Sequence, residues 1–332
     1  MTLTLSDKLR GGTGIFLAVL IALYALGMYW SGEPEQFKLK AEVTVDSHEA
    51  DVTAVIGYTT TTALIRVLET MLDKPGGYLS NDVLPPSVFL DNIPAWEFGV
   101  LEMSRDMALI MRKDFSRSQS QSVENEFLKI ASPQLNIDST SWMMPSAEGE
   151  YRKGIKALYA YRLDLTDKST RSSQFFSRSD NLRNWIMEAT KRMGSYSQRL
   201  SASVGREQLN VDLAGDEAAQ QSTNDAGSMA LKTPWLRLDD EFYEARGATW
   251  ALLHFLRAIE IDFADVLGKK NATVSVQQII RELEATQETV YSPFILNGSG
   301  FGLVANHSLV MANYISRANA ALIDLNELLS KG

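Results

Sequence analysis

The 332-residue sequence contains no cysteine and only three histidines. Without cysteine the chain has no disulfide and no thiolate metal ligand, and no lipid-modified cysteine follows its N-terminal apolar stretch. It also lacks the HExxH, G-x-S-x-G and S-x-x-K patterns, which excludes the common zinc-protease and serine acyl-transfer signatures. No metal site and no cofactor are therefore predicted.

Long uncharged apolar stretches are also rare, and the one at the N-terminus, residues 11–30 (GGTGIFLAVLIALYALGMYW), has the length of a membrane span. At about 1.5 Å per residue it forms a helix about 30 Å long, the thickness of a bilayer's hydrocarbon core. We predict one transmembrane anchor in the inner membrane, the alternative being a signal peptide cleaved after Ala25-Leu26-Gly27. The predicted anchoring side chains are Ile15, Phe16, Leu20, Leu23, Tyr29 and Trp30.

The orientation of this span is predicted from the flanking cations. Lys8 and Arg10 lie next to it on the N-terminal side, whereas Lys38 and Lys40 lie further away on the other side. The two totals tie, but the absence of thiols suits a periplasmic protein better than a cytosolic one. We therefore predict residues 1–10 in the cytoplasm and the remainder in the periplasm.

The charge balance disfavours one class of partner. The chain has a net charge of −9, and because Asp7, Lys8 and Arg10 give the first thirty residues +1, about −10 falls on the rest. Nucleic-acid affinity comes mainly from neutralising phosphates, so an acidic body is a poor nucleic-acid ligand.

The spacing of apolar residues beyond the span predicts an all-α protein, mostly a helical bundle. Faces with helical spacing occur at 64–71, 100–111, 151–159, 182–200, 252–266 and 311–329. The predicted ends include Gly205 and Gly268 as C-terminal signals and a capping box at Ser275. Residues 37–46 (FKLKAEVTVD) alternate apolar and polar residues, which indicates either one short strand or part of an extended tether over 31–47.

The second half of the chain is separated from the first by a polar segment. Residues 206–234 contain few large apolar residues and are predicted to be a flexible loop. It divides an N-terminal helical portion (48–205) from a C-terminal one (235–332). These portions form either two domains or one bundle with a long insertion.

Residues 73–82 (DKPGGYLSND), which precede two prolines, form the first candidate binding segment. A rigid loop rich in glycine and proline can present Tyr78, Asn81 and Asp82 as a recognition surface. The plainer interpretation is a connection whose glycines permit positive φ.

Two carboxylates form a candidate catalytic pair. If Asp239 caps a helix, Asp240 and Glu244 lie four residues apart on one face, where neighbouring carboxylates can raise a pKa for acid–base chemistry. Acids in the first turn of a helix also complement its dipole, with Arg246 as a counter-charge.

The last candidate is the glycine-rich segment 297–302 (NGSGFG), which leads to Asn306 and His307 at the start of the final helix. Backbone N–H groups at a helix N-terminus can bind an anion, but neither a P-loop nor a dinucleotide-binding pattern is present. Asn306 or Ser308 as a simple N-cap accounts for the same residues. His254 lies on a helical face and is more typical of a buried imidazole. His48 lies among acids and is more typical of a solvated loop.

Several segments together resemble one protein family. They are DKPGGYLSNDVLPPS (73–87), WEFGVL (96–101), RSQSQS (117–122), DDEFYEARG (239–247) and ILNGSGFG (295–302). The chain resembles an uncharacterised proteobacterial family of inner-membrane-anchored proteins classed as a domain of unknown function. The resemblance implies a Gram-negative envelope setting and transfers no catalytic residue.

These observations favour a non-enzymatic envelope protein that is tethered to the inner membrane and binds another envelope protein. The first alternative is an envelope hydrolase or lyase acting on peptidoglycan or lipid through Asp240 or Glu244 with His307 or His254. The second is a helical bundle that binds lipid or a small molecule in a deep cavity lined by methionines.

Overall fold

The computed structural model describes residues 5–39, 55–117, 123–167, 173–208, 229–292 and 294–331. Within these ranges the chain is all-α after an N-terminal apolar helix, as the apolar spacing predicts. The helices are α1 (Leu5–Trp30), α2 (Tyr58–Asp73), α3 (Asn92–Ile110), α4 (Glu126–Leu135), α5 (Ala147–Thr166), α6 (Ser179–Ser201), α7 (Leu238–Asp262), α8 (Ala264–Lys269), α9 (Thr273–Ala285) and α10 (His307–Ser330).

Helix α1 stands apart from the bundle. Residues Gly12–Trp30 are long and apolar enough to cross a membrane, and almost none of this stretch is buried against the rest of the protein. An apolar helix in the core of a soluble protein would be mostly buried. The apolar face of α1 is therefore left for a membrane or for a signal-sequence receptor.

The bundle is centred on the crossing of α3 and α7. A Cβ added to Gly99 would lie 2.0 Å from the carbonyl oxygen of Glu244, and one added to Gly247 would lie 2.0 Å from that of Trp96. Only glycine allows the two backbones to approach this closely. The rings of Trp96 and Trp250 flank the crossing with centroids 5.2 Å apart.

One continuous apolar cluster runs through both predicted portions of the chain. It includes Leu64 and Leu68 of α2, Trp185 of α6 and Ile315 and Leu325 of α10. The long helical face predicted over 182–200 is the buried face of α6, and the seam predicted over 311–329 is buried in α10. The two portions therefore share a core in the part of the chain that the structure describes.

The described ends of the predicted flexible loop pair with each other. Strand β1 (Arg206–Gln208) is antiparallel to β2 (Met229–Leu231), with Arg206 opposite Leu231. Just before β1, α6 ends in a short 3-10 turn, and Gly205 follows at φ +80°, which confirms the predicted C-terminal glycine. Residues 209–228 lie outside the described ranges.

The sequence allowed either a strand or a tether over 37–46; residues 37–39 form no strand and pack on α7 through Phe37, and the remainder of the segment lies outside the described ranges. Other local predictions were wrong. Helix α9 begins at Thr273, so Ser275 lies inside its first turn and forms no capping box. The helix predicted to end at Gly268 breaks at Phe263. Helix α4, which contains Pro133, was not predicted.

The segment after α1 is fixed to the bundle at two points. The Arg246 guanidinium contacts the Glu33 carboxylate at 2.5 Å. Four residues later, the centroids of the Phe37 and His254 rings lie 3.9 Å apart. The Phe37 N–H also donates to His254 Nε2 at 3.2 Å. The exit from α1 is thus held against α7.

Candidate functional site

The glycine-rich segment near the C-terminus forms a loop that is held firmly at its base (residues 297–306, hereafter loop 297–306). Asn306 Nδ2 donates to Asn297 Oδ1 at 2.8 Å and to the Gly298 carbonyl at 2.7 Å. Asn306 Oδ1 accepts from the Leu309 N–H at 2.8 Å, which confirms Asn306 as the N-cap of the last helix. Asn297 Nδ2 donates to the Ser203 carbonyl at the end of α6.

His307 completes this base. Its backbone N–H donates to the Leu296 carbonyl at 2.9 Å, and its Nδ1 accepts from the Leu296 N–H at 3.0 Å. The ring proton therefore resides on Nε2. Burial lowers the pKa of His307, so the imidazole is neutral at pH 7.

The tip of the loop projects away from the protein. A Cβ on Gly298 would lie 1.9 Å from the Val304 carbonyl oxygen, and Gly300 has φ +82°, so glycine is needed at both positions. Phe301 and Leu303 have relative exposures of 105% and 107%, those of side chains with almost no neighbours. The loop thus presents two large apolar side chains on a fixed base.

An open cleft of about 250 Å³ is lined in part by His307, the residue that directly follows loop 297–306. Its lining is mostly apolar or aromatic with a few polar groups, and it includes Phe242, Arg246, Tyr291, His307, Met311 and Tyr314. Arg246 also donates to the carbonyls of residues 286–288, the last turn after α9. Because Arg246 contacts Glu33 as well, the cleft lies close to the point where the chain leaves α1.

The predicted carboxylate pair is divided between different surroundings. Glu244 accepts hydrogen bonds from Arg199 at 2.6 and 3.0 Å. It lines a second, charged cleft of about 520 Å³, whereas His307 lines the first cleft. Asp240 lies in the first turn of α7. Burial, Asp91 and Asp239 raise the pKa of Asp240 to about 6.

The candidate residues of segment 73–82 are mostly interior. Tyr78 is buried and donates to the Ser139 carbonyl at 3.1 Å, and Asn81 is buried and donates to the Ser141 carbonyl at 3.1 Å. Asp82 is exposed. Burial raises the pKa of Tyr78.

A buried ion pair, absent from the predictions, fixes this segment. The Lys74 ammonium contacts the Glu97 carboxylate, and both side chains are almost completely buried. Glu97 also accepts from the backbone N–H groups of Leu79 and Ser80, each at 2.8 Å, and from the Ser80 hydroxyl. Burial raises the pKa of Glu97, and these donors oppose the rise. The sequence signal was an acid between Trp96 and Phe98 in an otherwise apolar helical face.

The other described histidine, His254, is held by backbone groups. His254 Nε2 accepts from Phe37, so its Nδ1 carries the proton and donates to the Trp250 carbonyl at 2.8 Å. Burial lowers its pKa to about 4. His48 lies outside the described residues. Within the described ranges, no group of three potential metal-ligating side chains occurs.

The predicted anchoring side chains of α1 face outward for the most part. Ile15, Phe16, Leu20 and Tyr29 are exposed, whereas Leu23 and Trp30 are half-buried. Four methionines of α2, α3 and α6 are packed in the core, Met71, Met103, Met107 and Met193, whereas Met187 of α6 is exposed. They line neither of the two clefts described above.

The geometry defines a class: a helical bundle preceded by one apolar helix, with an exposed apolar loop on a fixed base. The chain belongs to a family described as "Uncharacterized protein conserved in bacteria (DUF2333)", whose model matches residues 5–332. No curated protein and no solved structure matches the chain.

Proposed function

We propose that this protein is a single-pass envelope protein whose folded body binds another envelope protein through loop 297–306 and the adjoining cleft. The observation that carries the proposal is the complete exposure of Phe301 and Leu303 on a loop whose base is fixed by Asn297, Asn306 and His307. Large exposed apolar groups of this kind mark interaction sites.

The fixed base supports a protein partner. Aromatic side chains are enriched at the centres of protein interfaces, where a few residues supply most of the binding energy. Since the loop is already ordered by its own hydrogen bonds, binding requires little further loss of conformational entropy. The cleft beside the loop can accept a side chain of the partner.

The anchor is the second part of the proposal. Helix α1 stays in the inner membrane, with Lys8 and Arg10 on the cytoplasmic side and the bundle in the periplasm. The contacts of Arg246 with Glu33 and of His254 with Phe37 hold the exit of this helix against the bundle. The partner then meets loop 297–306 close to the membrane surface.

Site-specific photo-cross-linking in cells tests this proposal. A benzophenone side chain in place of Phe301 should capture a discrete envelope protein, and the same probe in place of Val274 should not. Val274 is also apolar and 73% exposed, but it lies at the other end of α9 from the carbonyls that Arg246 holds. Capture of lipid alone at Phe301, or equal capture at both positions, would contradict the proposal.

An envelope hydrolase is the second candidate function, and the raised pKa of Asp240 favours it. It would use Asp240 or Glu244 with His307 or His254. Substitution of Asp240, Glu244 and His307 by alanine in turn separates the two functions. An enzyme loses its cellular phenotype while it remains folded, whereas an interaction protein tolerates the changes at Asp240 and Glu244 but fails with Phe301→Asp.

A further inference from the structure

A second exposed apolar segment lies next to α1. Residues 83–90 (VLPPSVFL, hereafter loop 83–90) carry no charge and are bounded by Asp82 and Asp91. Four of their side chains are exposed: Val83 by 56%, Leu84 by 72%, Val88 by 53% and Phe89 by 77%. Such a group of apolar side chains is costly to leave in water.

The loop contacts α1 within its apolar stretch. Gly27 is the one buried residue among residues 12–30, all of which are described. A Cβ built on Gly27 lies 3.5 Å from Pro86 Cβ and 3.7 Å from Leu90 Cδ2. Gly27 is about 4.5 Å along the helix axis from Trp30, a residue type that favours the membrane–water interface. The loop therefore lies at the depth of the last turn of the span.

The backbone of the loop suits a poorly hydrated environment. Pro85 and Pro86 have no N–H group. The N–H groups of residues 88, 89 and 90 donate to the carbonyls of residues 84, 86 and 87, at 3.3, 3.0 and 2.8 Å. The Ser87 hydroxyl donates to the Leu84 carbonyl at 2.6 Å. The missing N–H groups of the two prolines and these internal hydrogen bonds lower the cost of bringing the loop to lipid.

The bundle fixes the position of the loop. The preceding segment is held by Glu97 through Leu79 and Ser80, and Gly76 packs against the Trp30 ring. Since the exit from α1 is also held by Arg246, the loop and the helix are both fastened to one body. Insertion of α1 into a bilayer therefore brings loop 83–90 to the same leaflet.

We propose that loop 83–90 inserts its apolar side chains into the interfacial region of the bilayer that holds α1, so that the bundle is seated on the membrane at two points. The proposal rests on the proposed membrane anchor. The ligand is the lipid leaflet on the side of the bundle, and the groups that enter it are Val83, Leu84, Val88 and Phe89.

Spin labels on single cysteines test the proposal in the full chain reconstituted into phosphatidylglycerol–phosphatidylethanolamine vesicles. The absence of native cysteine makes each label unique. Labels replace Phe89 and Leu84 in the loop, Met28 at the matching depth of α1, Leu20 in the middle of the span, and Val274 as the exposed control. Their collision rates with oxygen, which concentrates in lipid, and with a polar nickel chelate, which stays in water, are measured.

The labels at Phe89 and Leu84 are expected to show an oxygen-to-nickel ratio severalfold above that at Val274, close to that at Met28 and below that at Leu20. An aqueous ratio at Phe89 with a lipid ratio at Leu20 would overturn the proposal and leave the anchor intact. Aqueous ratios at Phe89, Leu20 and Met28 alike would contradict both the insertion of the loop and the membrane anchor. Dipolar broadening between labels at Phe89 would mean that a second copy covers the loop, which also overturns it.

Discussion

The α3–α7 crossing and the loops at 83–90 and 297–306 use similar residue types in opposite ways. At the crossing, glycine removes side-chain volume so that two backbones meet and the neighbouring tryptophans are buried. In the loops, glycine and proline shape the backbone so that large apolar side chains point outward. These motifs therefore divide into those that hold the bundle together and those that the bundle exposes at its surface. Changes in the first set should alter stability, and changes in the second should alter binding.

Loss of the buried ion pair should have the largest effect. Lys74→Met leaves the Glu97 carboxylate buried without its counter-charge, and we expect the free energy of unfolding to fall by about 4 kcal/mol. Chemical denaturation measures the change. The double variant Lys74→Met/Glu97→Gln should recover part of the loss, because it removes the uncompensated charge, although the amide oxygen replaces only one of the two carboxylate oxygens that accept from residues 79 and 80. A double variant as unstable as the single one would show that the charges are not the cause.

A substitution at the glycine crossing of α3 and α7 should have the next largest effect on stability. Gly247→Ala places a methyl group against the Trp96 carbonyl, and we expect a loss of about 3 kcal/mol through overpacking. Gly268→Ala is the matched control, because the space around Gly268 is open and alanine favours a helix. Thermal unfolding should show a lower midpoint for the first and an unchanged or higher one for the second. Equal behaviour would mean that the two helices do not meet at Gly247.

His254 should make stability depend on pH. Its pKa in the folded protein, about 4, lies below the ordinary value, so the unfolded chain binds more protons between these two values. This contribution to the free energy of unfolding is complete above about pH 6.5 and should fall by about 2 kcal/mol between pH 6.5 and 4.5. Chemical denaturation of the protein and of the His254→Gln variant at pH 6.5 and 4.5 isolates the contribution of His254 to the free energy of unfolding. Identical pH slopes for the two proteins would contradict the buried neutral imidazole.

Asp240 should make stability depend on pH in the direction opposite to that of His254. Its pKa in the folded protein, about 6, lies above the ordinary value, so the folded protein binds the extra proton and stability decreases as pH rises through this range. Asp240→Asn should raise the free energy of unfolding at pH 7 by about 1 kcal/mol after allowance for solvent screening. The gain should vanish below pH 4. A destabilised variant would mean that the charge of Asp240 is needed for folding.

The smallest effect on stability is expected at the tip of loop 297–306. Phe301→Asp should change the free energy of unfolding by less than about 0.5 kcal/mol, because the ring packs against almost nothing. The same change should abolish cross-linking from a benzophenone placed at Leu303. A variant that is stable and still cross-links would show that Phe301 is not part of the interface.

The helical pattern was enough to predict the fold class, and local signals were enough to narrow the N-cap of the last helix to Asn306 or Ser308 and to predict the glycine end at Gly205. Tertiary contacts decide what local pattern leaves open. Residues 37–39 lie along α7 because Phe37 packs against Trp250 and His254, although their alternation is typical of a strand. Helix α4 escaped notice because Pro133 interrupts an already short pattern.

The candidate site was predictable only in part. The sequence indicated the NGSGFG segment, but periodicity cannot tell an outward Phe301 from a core phenylalanine, because both are apolar residues beside glycine. The pairing of Lys74 with Glu97 depends on how the bundle folds, and only the presence of an acid in an apolar face hinted at it. The contact of loop 83–90 with Gly27 likewise depends on how the bundle folds.

The retention of α1 is the claim on which both membrane proposals depend. The intact mass of the native protein, purified from membranes after an alkaline carbonate wash, tests it directly. We predict a membrane-bound chain that keeps the N-terminal helix, with a mass near the 36.9 kDa of the full sequence. A chain that begins after Gly27, or one released by the wash, would contradict the account.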